Sequence, residues 1–410
     1  MLPYQSLTNV AAGQGLKLLD GVTVLDLTTS IAGPYAAMLL GDLGARVIKI
    51  ERPRNGDDSR AWGPPFLQGE SLWFMSVNRN KESIVLDYST DAGRAVLTDM
   101  LRKADVVITN LMERVLRKLK LDPASLKSVN PGIVHVSITG FGLTGERKNL
   151  PCYDLIAEGY SGVMDLTGEA DSPPQKVGTP AADLIPGVDA ALAAVAALLD
   201  RTRTGQGHSI DVAMVDSMVR FMSPRILPYL GSGEVPQRTG ARDSVLAVYQ
   251  VFDTRDNPIT LGIGNDAIWK RFWEAAGKPE MGMDERFKSN ADRRAARQEI
   301  VGEIQELLRA KGRDHWLAVF AAANVPAGPV NTIEDLVNDK ALQERGLFYR
   351  ADTQHREIPQ VGFAVAIDGV SNTYRSEPPV LGQHTLQVLG DWLGYDEARI
   401  RILRDAGTVG

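Results

Sequence analysis

Apolar and polar positions alternate along the N-terminal half in a way that is typical of strands and helices in turn. Short apolar runs in residues 21–28 and 44–51 predict two buried strands. Between them, Pro34 near the start and glycines near the end bound a segment that predicts a helix. A strand, a helix and a further strand in this order form a β-α-β unit, whose strands are parallel. The alternation continues to residue 142, and we therefore expect an α/β fold with an open parallel sheet.

A long apolar stretch, residues 180–201, predicts a buried helix. Alanine and leucine are good helix formers, and apolar residues lie on nearly every side of this helix. Asp183 lies near its start, among small or apolar neighbours. A helix N-terminus favours negative charge, so the pattern fits a capping or first-turn aspartate as well as an exposed, ionised nucleophile. The pattern leaves both interpretations open.

The second half of the chain differs in composition. Residues 223–244 are rich in glycine, proline and arginine, which is typical of a linker. Two predicted strands follow, and then a predicted helix with an aromatic face formed by Trp269 and Trp273. The tail alternates short strands and turns and is expected to end in a helix near residues 387–393.

Composition and charge limit the kinds of partner. The chain has 410 residues, 44% of them hydrophobic, and a formal net charge of −6. This mild acidity argues against nucleic acid and against a membrane surface as partners, and it still permits a local basic groove for a phosphorylated ligand. The sequence shows no signal-peptide pattern and no uninterrupted apolar run of transmembrane length, so the cytoplasm is the expected location.

Residues that could hold a metal or form a disulfide are few. Cys152 is the only cysteine in the sequence, so an intrachain disulfide and a cysteine metal cluster are excluded, and a packed thiol is its expected role. The histidines show no pair with metal-ligand spacing, and we expect no metal site. These histidines are His135, His208, His315, His355 and His384.

A nucleotide site at the first β-α-β unit is an alternative that the motifs support weakly. A dinucleotide-binding fold has G-x-G-x-x-G at the first turn, whereas residues 28–34 contain one glycine. Residues 140–145 match the pattern after a strand, but the helix that the motif requires does not follow, so a turn is expected there. Arg52 lies next to Glu51 at the end of the second strand. Its charge could bind a ribose that carries a phosphate, or it could equally belong to a solvated basic loop without a ligand.

A set of longer motifs runs through the chain in a fixed order. Between residues 19 and 214 they are LDGVTVLDLT, AGPYAAMLLGDLGARVIKIERP, NRNKESIVLD, ADVVITN, SITGFGLTG, CYDLIAEGYSG, AADLIPG and TGQGHSIDVAM. Weaker motifs, AVYQVFDTRDNPITLGIGND, VPAGPVNT and PPVLGQHT, extend the set through the C-terminal part. Together they resemble the class III CoA-transferases, also called the CaiB/BaiF family, which includes formyl-CoA transferase and the 2-methylacyl-CoA racemases.

The resemblance implies a domain organisation, an assembly and a set of ligands. It implies a large α/β domain formed by residues 17–222 and 340–410, and a smaller α+β domain formed by residues 235–327. It also implies that two chains interlock like links into a homodimer. The implied ligands are an acyl-CoA and a small carboxylic acid, so coenzyme A is a substrate and no permanently bound cofactor is expected.

The resemblance also implies a catalytic role for Asp183, which matches the family's catalytic aspartate. Such a carboxylate attacks the thioester of the acyl-CoA and gives a mixed anhydride and the CoA thiolate. The thiolate then either forms an enzyme–CoA thioester or stays bound while the acceptor acid enters. The ordinary pKa of an aspartate, ~3.9, is expected to keep it ionised at neutral pH. The site has to exclude water, because water hydrolyses the anhydride.

Contacts with CoA are implied for residues that match the family's binding positions. They are Ile31, Ala32, Arg52, Leu86, Ser89, Asn110, Leu111, Lys118, Leu150 and Tyr153. Formyl-CoA transferases have a glutamine in place of Ile31 and a glycine-rich lid, to which residues 262–265 are the nearest match. Both departures argue against formyl or oxalate specificity and favour a transferase that uses succinyl-CoA and a small dicarboxylic or hydroxy acid.

Two other functions stay as alternatives. Racemases of the family pair the aspartate with a histidine, and the matching residue here is Tyr153. A phenol, with a pKa of ~10, is a poor partner for α-proton exchange at neutral pH, so we expect no racemase activity. An NAD-dependent oxidoreductase needs a glycine-rich first turn, which residues 29–34 lack.

Overall fold

The computed structural model describes residues 2–13, 15–353 and 356–410. The strands are β1 Asn9–Val10, β2 Thr23–Asp26, β3 Arg46–Glu51, β4 Phe66–Leu67, β5 Glu70–Ser71, β6 Lys81–Val85, β7 Val106–Thr109, β8 Val134–Thr139, β9 Ser209–Ala213, β10 Val248–Phe252, β11 Ile259–Ile263, β12 Ala327–Pro329, β13 Phe348–Asp352 and β14 Glu357–Val361. The α-helices are α1 Ala32–Asp42, α2 Leu72–Ser76, α3 Asp91–Lys103, α4 Glu113–Leu119, α5 Pro123–Val129, α6 Asp154–Ser161, α7 Val163–Leu166, α8 Ala181–Thr204, α9 Met214–Phe221, α10 Ser223–Ser232, α11 Asp266–Ala275, α12 Pro279–Met283, α13 Asn290–Ala295, α14 Arg297–Arg309, α15 Arg313–Ala322, α16 Ile333–Asn338, α17 Lys340–Glu344, α18 Thr385–Gln387 and α19 Glu397–Asp405.

The predicted β-α-β unit and the alternating segment after it form one parallel sheet. Its strand order is β6-β3-β2-β7-β8-β9. In β2, Val24 lies opposite Val47 of β3 on one side and Val106 of β7 on the other. Every residue of β7 is buried, because helices cover both faces of such a sheet, and this explains the apolar run at residues 106–108. The parallel α/β sheet expected from the sequence is confirmed.

The order of the strands creates a crevice at the centre of the sheet. From β2 the chain moves outward to β3 and β6, and it then returns to the other side of β2 for β7, β8 and β9. The connections therefore change direction between β2 and β7. In open α/β sheets, ligands bind outside the carboxyl ends of the strands at such a switch point.

Local sequence signals determine where the flanking helices begin. The Thr90 hydroxyl accepts a hydrogen bond from the Gly93 amide at 3.0 Å and caps α3. The apolar face of α3 is buried against the sheet, as its amphipathic pattern predicts. Asp122 caps α5 in the same way, with Pro123 as the first helical residue.

The long apolar helix that the sequence predicts is α8, which packs closely against α1. Gly187 makes this approach feasible, because a Cβ at this position would lie 2.9 Å from the Ala32 carbonyl oxygen. Ala190 and Ala194 are buried, whereas Leu192 and Leu199 are more than two-thirds exposed. The helix is therefore buried along one side, and the expectation of an interior helix apolar on every side is only partly correct.

By length and composition, α8 is also long and apolar enough to cross a membrane, and among the described residues no other helix meets this criterion. Asp183 and Asp189 interrupt this apolar stretch, so it does not contradict the expectation that the chain has no uninterrupted apolar run of transmembrane length. A helix of a folded core, such as this one against α1, meets the same criterion.

The C-terminal segment returns to the edge of the main sheet. The Val85 amide donates a hydrogen bond to the Thr385 hydroxyl, and Leu86 forms a β-bridge with Val409. The helix expected near residues 387–393 is α18 together with a π-helical turn, Val388–Trp392. α19 lies beyond it and was not predicted, although Asp396 provides an N-cap signal.

Residues 223–244, expected as a linker, begin with a helix. α10 contains Pro224 as its second residue, where the missing amide hydrogen would have no partner within the helix. Apolar residues such as Leu227 give the segment helix-forming capacity that its proline and glycine content obscures.

The described part of the chain divides into two compact units. The first comprises the residues up to 163, residues 177–230 and residues 339–410. The second comprises residues 164–176 and 231–338.

The second unit is of mixed α and β structure. It contains an antiparallel sheet with the order β10-β11-β12. Trp269 and Trp273, the predicted aromatic face of α11, are buried together with Phe272 and Phe320. Their rings contact one another edge to face or tilted, which contributes stability beyond that of the buried area.

Candidate active site

A cavity of about 80 Å³ lies at the carboxyl ends of the central strands, at the switch point of the main sheet. Predicted site residues from four separate segments meet there, namely Ala32, Asn110, Tyr153 and Asp183. The other lining residues are Thr29, Ser30, Ile138, Thr139, Gly140, Cys152 and Met214. The fold thus brings Asp183 to the place where ligands bind in this class of sheet.

Asp183 is the third residue of α8 and is half-buried. Pro180 occupies the N-cap position, so Asp183 is a first-turn residue and not the N-cap. The helix dipole favours an anion in this turn. Among the residues that the structure describes, none donates a hydrogen bond to the Asp183 carboxylate. The oxygens of Asp183 are therefore available to a ligand in the cavity.

The surroundings of Asp183 disfavour its ionised form. Burial, and after it the negative charge of Asp154, raise the pKa of Asp183 from 3.8 to about 7. The expectation that an ordinary pKa keeps this carboxylate ionised is therefore wrong for the protein without substrate, since near pH 7 about half of it carries a proton. A strongly perturbed carboxyl group in a cleft is a typical sign of a functional site.

Asp154 connects the starts of two helices. It is the first residue of α6, and its Oδ1 accepts a hydrogen bond from the Ala182 amide at 2.8 Å. This amide belongs to the first turn of α8, next to Asp183. Sequence reasoning did not single out Asp154, although it follows Tyr153 in the CYD motif.

The loop after β2 is fixed across the switch point by Asn110. The Asn110 side-chain amide donates to the Thr29 carbonyl at 2.9 Å, and its oxygen accepts from the Thr29 amide at 3.3 Å. The next residue, Ser30, has a φ of 73°, and its amide donates a hydrogen bond to the Asp57 carboxylate at 2.9 Å. Asp57 is itself paired with buried Lys49 at 2.7 Å. A buried charge network therefore holds the cavity wall in an uncommon backbone conformation.

Cys152 packs tightly against the opposite wall. A Cβ on Gly140 would lie 2.1 Å from the Cys152 Cβ, so only glycine fits at position 140. Burial, and then the negative charge of Asp183, raise the pKa of the Cys152 thiol to about 11. The thiol is therefore neutral near pH 7 and lines the cavity as a small, packed group.

Several residues expected to contact CoA have side chains turned away from solvent. Ile31 is the N-cap residue of α1 and is 2% exposed, and Leu86 is fully buried in the core. Leu111 is half-buried against the same core cluster. Contacts of these residues with a ligand would therefore involve mainly their main-chain atoms. By contrast, the side chains of Ser89 and Leu150 are exposed.

The cationic residues expected to bind CoA lie on the surface. Arg52, at the end of β3, is exposed and forms an ion pair with Asp58. Lys118 is exposed on α4. Glu51, the acid next to Arg52, is buried and accepts two hydrogen bonds from Arg60, at 2.8 and 2.7 Å. Glu51 is therefore committed to a structural ion pair and is not available to a ribose.

The motif of residues 140–145 forms a turn, as expected. The Gly142 amide donates a hydrogen bond to the Thr139 hydroxyl at 2.9 Å, and the Leu143 amide donates one to the Asp211 carboxylate at 2.8 Å. The next helix is α6, which begins at Asp154, so the helix N-terminus that a dinucleotide site needs is missing directly after the motif.

The described ranges contain no group of three or more His, Cys, Asp or Glu side chains that could hold a metal ion. His355 lies outside the described residues.

Comparisons with known proteins identify the family of the chain. The model of the family described as CoA-transferase family III matches residues 19–385. The chain is 39% identical over 383 residues to the succinate–glutarate CoA-transferase of Agrobacterium fabrum, which covers 91% of this chain and 95% of that protein. It is 39% identical over 333 residues to the acetyl-CoA:oxalate CoA-transferase of Acetobacter aceti, covering 81% and 85% of the two chains.

A solved structure shows the same fold. A CaiB/BaiF family protein from Brucella suis superposes with a TM-score of 0.80 at 37% sequence identity, over 92% of this chain and all of that one. The resemblance in the sequence motifs is thus confirmed over most of the chain. The chain belongs to family III of the CoA-transferases.

Proposed function

We propose that this CoA-transferase moves CoA from succinyl-CoA to a small dicarboxylic acid such as glutarate, with Asp183 as the nucleophile. The observation that carries the proposal is the Asp183 carboxylate, which faces a cavity at the switch point of the sheet without a hydrogen-bond partner among the described residues. The relative that acts on succinate and glutarate supports this pair of acids. Ile31, which stands where formyl-CoA transferases have a glutamine, supports it further.

The reaction begins when an oxygen of ionised Asp183 attacks the thioester carbonyl carbon. A C–O bond forms, the C–S bond breaks, and the negative charge passes to the sulfur of CoA. The product is a mixed anhydride between Asp183 and the acyl group. The thiolate then attacks the Asp183 carbonyl carbon, which releases the donor acid and leaves an aspartyl–CoA thioester.

The acceptor acid completes the exchange by the reverse chemistry. Its carboxylate attacks the aspartyl thioester and forms a second anhydride, and the thiolate takes the acyl group of the acceptor. Asp183 then leaves as a carboxylate. A pKa near 7 favours this cycle, because a more basic carboxylate is a stronger nucleophile and a sizeable fraction is still ionised at neutral pH.

The neighbouring residues supply shape and exclude water. Cys152 and Met214 give the cavity uncharged walls, and the neutral Cys152 thiol is a poor nucleophile near pH 7. Asn110 holds the loop with Thr29 and Ser30 at the rim. Arg52 is proposed to pair with the ribose phosphate of CoA, in exchange for its contact with Asp58.

We also propose that the enzyme is a homodimer with the domain division that the family resemblance implies. Apolar side chains that are at least half exposed on α8, α9 and α10 support this, namely Leu192, Leu199, Phe221, Leu227 and Leu230. Such a concentration of exposed apolar residues is typical of an interaction surface. Light scattering on the purified protein tests the assembly, and a monomer at micromolar concentration would contradict it.

A matrix of donors and acceptors tests the function. Succinyl-CoA and acetyl-CoA are each incubated with glutarate, oxalate or formate, and the acyl-CoA products are separated by chromatography. We expect glutaryl-CoA from succinyl-CoA to form with the highest kcat/KM. Preferential formation of oxalyl-CoA or formyl-CoA would refute the proposed acid specificity, although the reaction would still be a CoA transfer.

A further inference from the structure

The first turn of α8 carries Asp183 and is held by a side chain from another helix. Asp154 Oδ1 accepts the hydrogen bond of the Ala182 amide at 2.8 Å. This amide belongs to the first turn of α8, whose N–H groups have no acceptor within the helix. A change at position 154 is therefore transmitted to Asp183 through one residue of backbone.

Asp154 also brings a second negative charge close to the nucleophile. Around the start of α8, the other contributing elements present uncharged groups to the cavity, namely Ala32 of α1, Asn110 after β7, Thr139 of β8 and Met214 of α9. The segment leading into α6 provides the remaining titratable groups, the neutral Cys152 thiol and the Tyr153 phenol. Among the described residues, Asp154 is the charged group that acts on Asp183.

We propose that Asp154 is a positioning residue for the reaction, which orients Asp183 through the Ala182 amide and makes its carboxylate more reactive by like-charge repulsion. This inference rests on the proposed function, because it needs Asp183 as the nucleophile. Asp154 is not a ligand of the substrate.

The charge balance of the acylation step explains how the negative charge of Asp154 favours acylation of Asp183. Before attack, the ionised Asp183 carboxylate is repelled by the negative charge of Asp154, whose side chain is bonded to the neighbouring Ala182 amide. When the C–O bond forms and the C–S bond breaks, the charge of Asp183 leaves with the sulfur of CoA, and the anhydride at Asp183 is neutral. The repulsion by Asp154 is therefore present in the free enzyme and absent in the acyl-enzyme, which favours acylation.

Two substitutions separate the two effects of Asp154. Asp154→Asn keeps an acceptor oxygen for the Ala182 amide and removes the charge, whereas Asp154→Ala removes both. Asp189→Asn is the matched control, because Asp189 is also on α8 and pairs with exposed Arg220 at 2.6 Å. For each variant, kcat/KM for succinyl-CoA with glutarate is measured from pH 5 to 9, together with the melting temperature.

The expected result is a displaced pH profile in Asp154→Asn. The midpoint of its acidic limb moves to lower pH by about one unit, the plateau is lower than in the wild type, and the melting temperature is retained. Asp154→Ala loses activity at every pH and melts earlier, and Asp189→Asn keeps the wild-type profile.

Two outcomes would overturn the proposal, and they are distinguishable. If the wild type acylates Asp183 while Asp154→Asn keeps the wild-type midpoint and plateau, Asp154 has a structural role only. If mass mapping of the wild type finds neither a hydroxamate on Asp183 after hydroxylamine nor an acyl group there after a rapid acid quench, the proposed function fails and the role of Asp154 fails with it.

Discussion

Replacing Asp183 with asparagine should make the protein more stable at alkaline pH. The change removes a carboxylate whose ionised form is disfavoured by burial and by Asp154, and it keeps the side-chain shape. Below pH 3.8, Asp183 is protonated in the folded and the unfolded states, so its titration does not change the free energy of unfolding there. Between pH 3.8 and about 7, only the unfolded chain releases the proton, so the free energy of unfolding of the wild type decreases as the pH rises.

The size of the effect follows from the pKa interval. From 3.8 to about 7, at ~1.4 kcal/mol per pH unit, the full cost is about 4 kcal/mol. Asp183 is half-buried, and the solvent that reaches it reduces this to about 2 kcal/mol. For a chain of 410 residues, this corresponds to a melting temperature about 2 °C higher in Asp183→Asn at pH 8.

Thermal unfolding of both proteins from pH 4.5 to 8.5 tests the reasoning. The advantage of Asp183→Asn should grow with pH up to about pH 7 and then stay constant. Asp189→Asn, which breaks the pair with Arg220, should show no such gain. A difference that does not depend on pH, or a variant less stable than the wild type at pH 8, would refute the account of the Asp183 environment.

Three further predictions concern the ligand, the cavity wall and the alternative chemistry. Arg52→Ala should raise KM for succinyl-CoA about tenfold, a cost of about 1.5 kcal/mol, with little further loss on dephospho-CoA thioesters; equal losses on both substrates would place Arg52 elsewhere. Gly140→Ala should inactivate the enzyme, because the added methyl group overpacks against Cys152. Transferase activity should return in the double variant with Cys152→Gly, and a double variant that stays inactive would contradict the contact. In deuterated water, 2-methylacyl-CoA should gain no α-deuterium by mass spectrometry, because Tyr153 replaces the second base; rapid uptake would favour a racemase.

Much of the fold is predictable because it depends on local patterns. The apolar runs at residues 21–28 and 44–51 become β2 and β3, and the apolar stretch at residues 180–201 becomes α8. In each case the hydrophobic periodicity and the end signals point to the same element. α10 was missed because its prolines are read as breakers, whereas one of them occupies a position where a helix tolerates proline.

The electrostatics of the site could not be predicted, because they depend on contacts between distant segments. Asp154 and Asp183 are separated in sequence, and only the fold buries Asp183 and brings the charge of Asp154 near it, which together raise the pKa of Asp183. In the sequence, Glu51 and Arg52 are two adjacent charged residues that cannot be told apart by exposure. In the folded chain, Glu51 is buried and accepts two hydrogen bonds from Arg60. Ile31 and Leu86 match binding positions by motif, while the packing of the core buries their side chains.

Mass mapping of the acyl-enzyme tests the central claim most directly. The wild type is incubated with succinyl-CoA without an acceptor, trapped with hydroxylamine and digested with trypsin. Cleavage after Lys176 and Arg201 gives a peptide that contains Asp183 together with Asp189 and Asp200. Fragmentation is predicted to place the hydroxamate on Asp183, with none in Asp183→Asn, which should still bind CoA and transfer no acyl group. A hydroxamate on another residue, or an Asp183→Asn enzyme that keeps most of its transferase activity, would contradict the account.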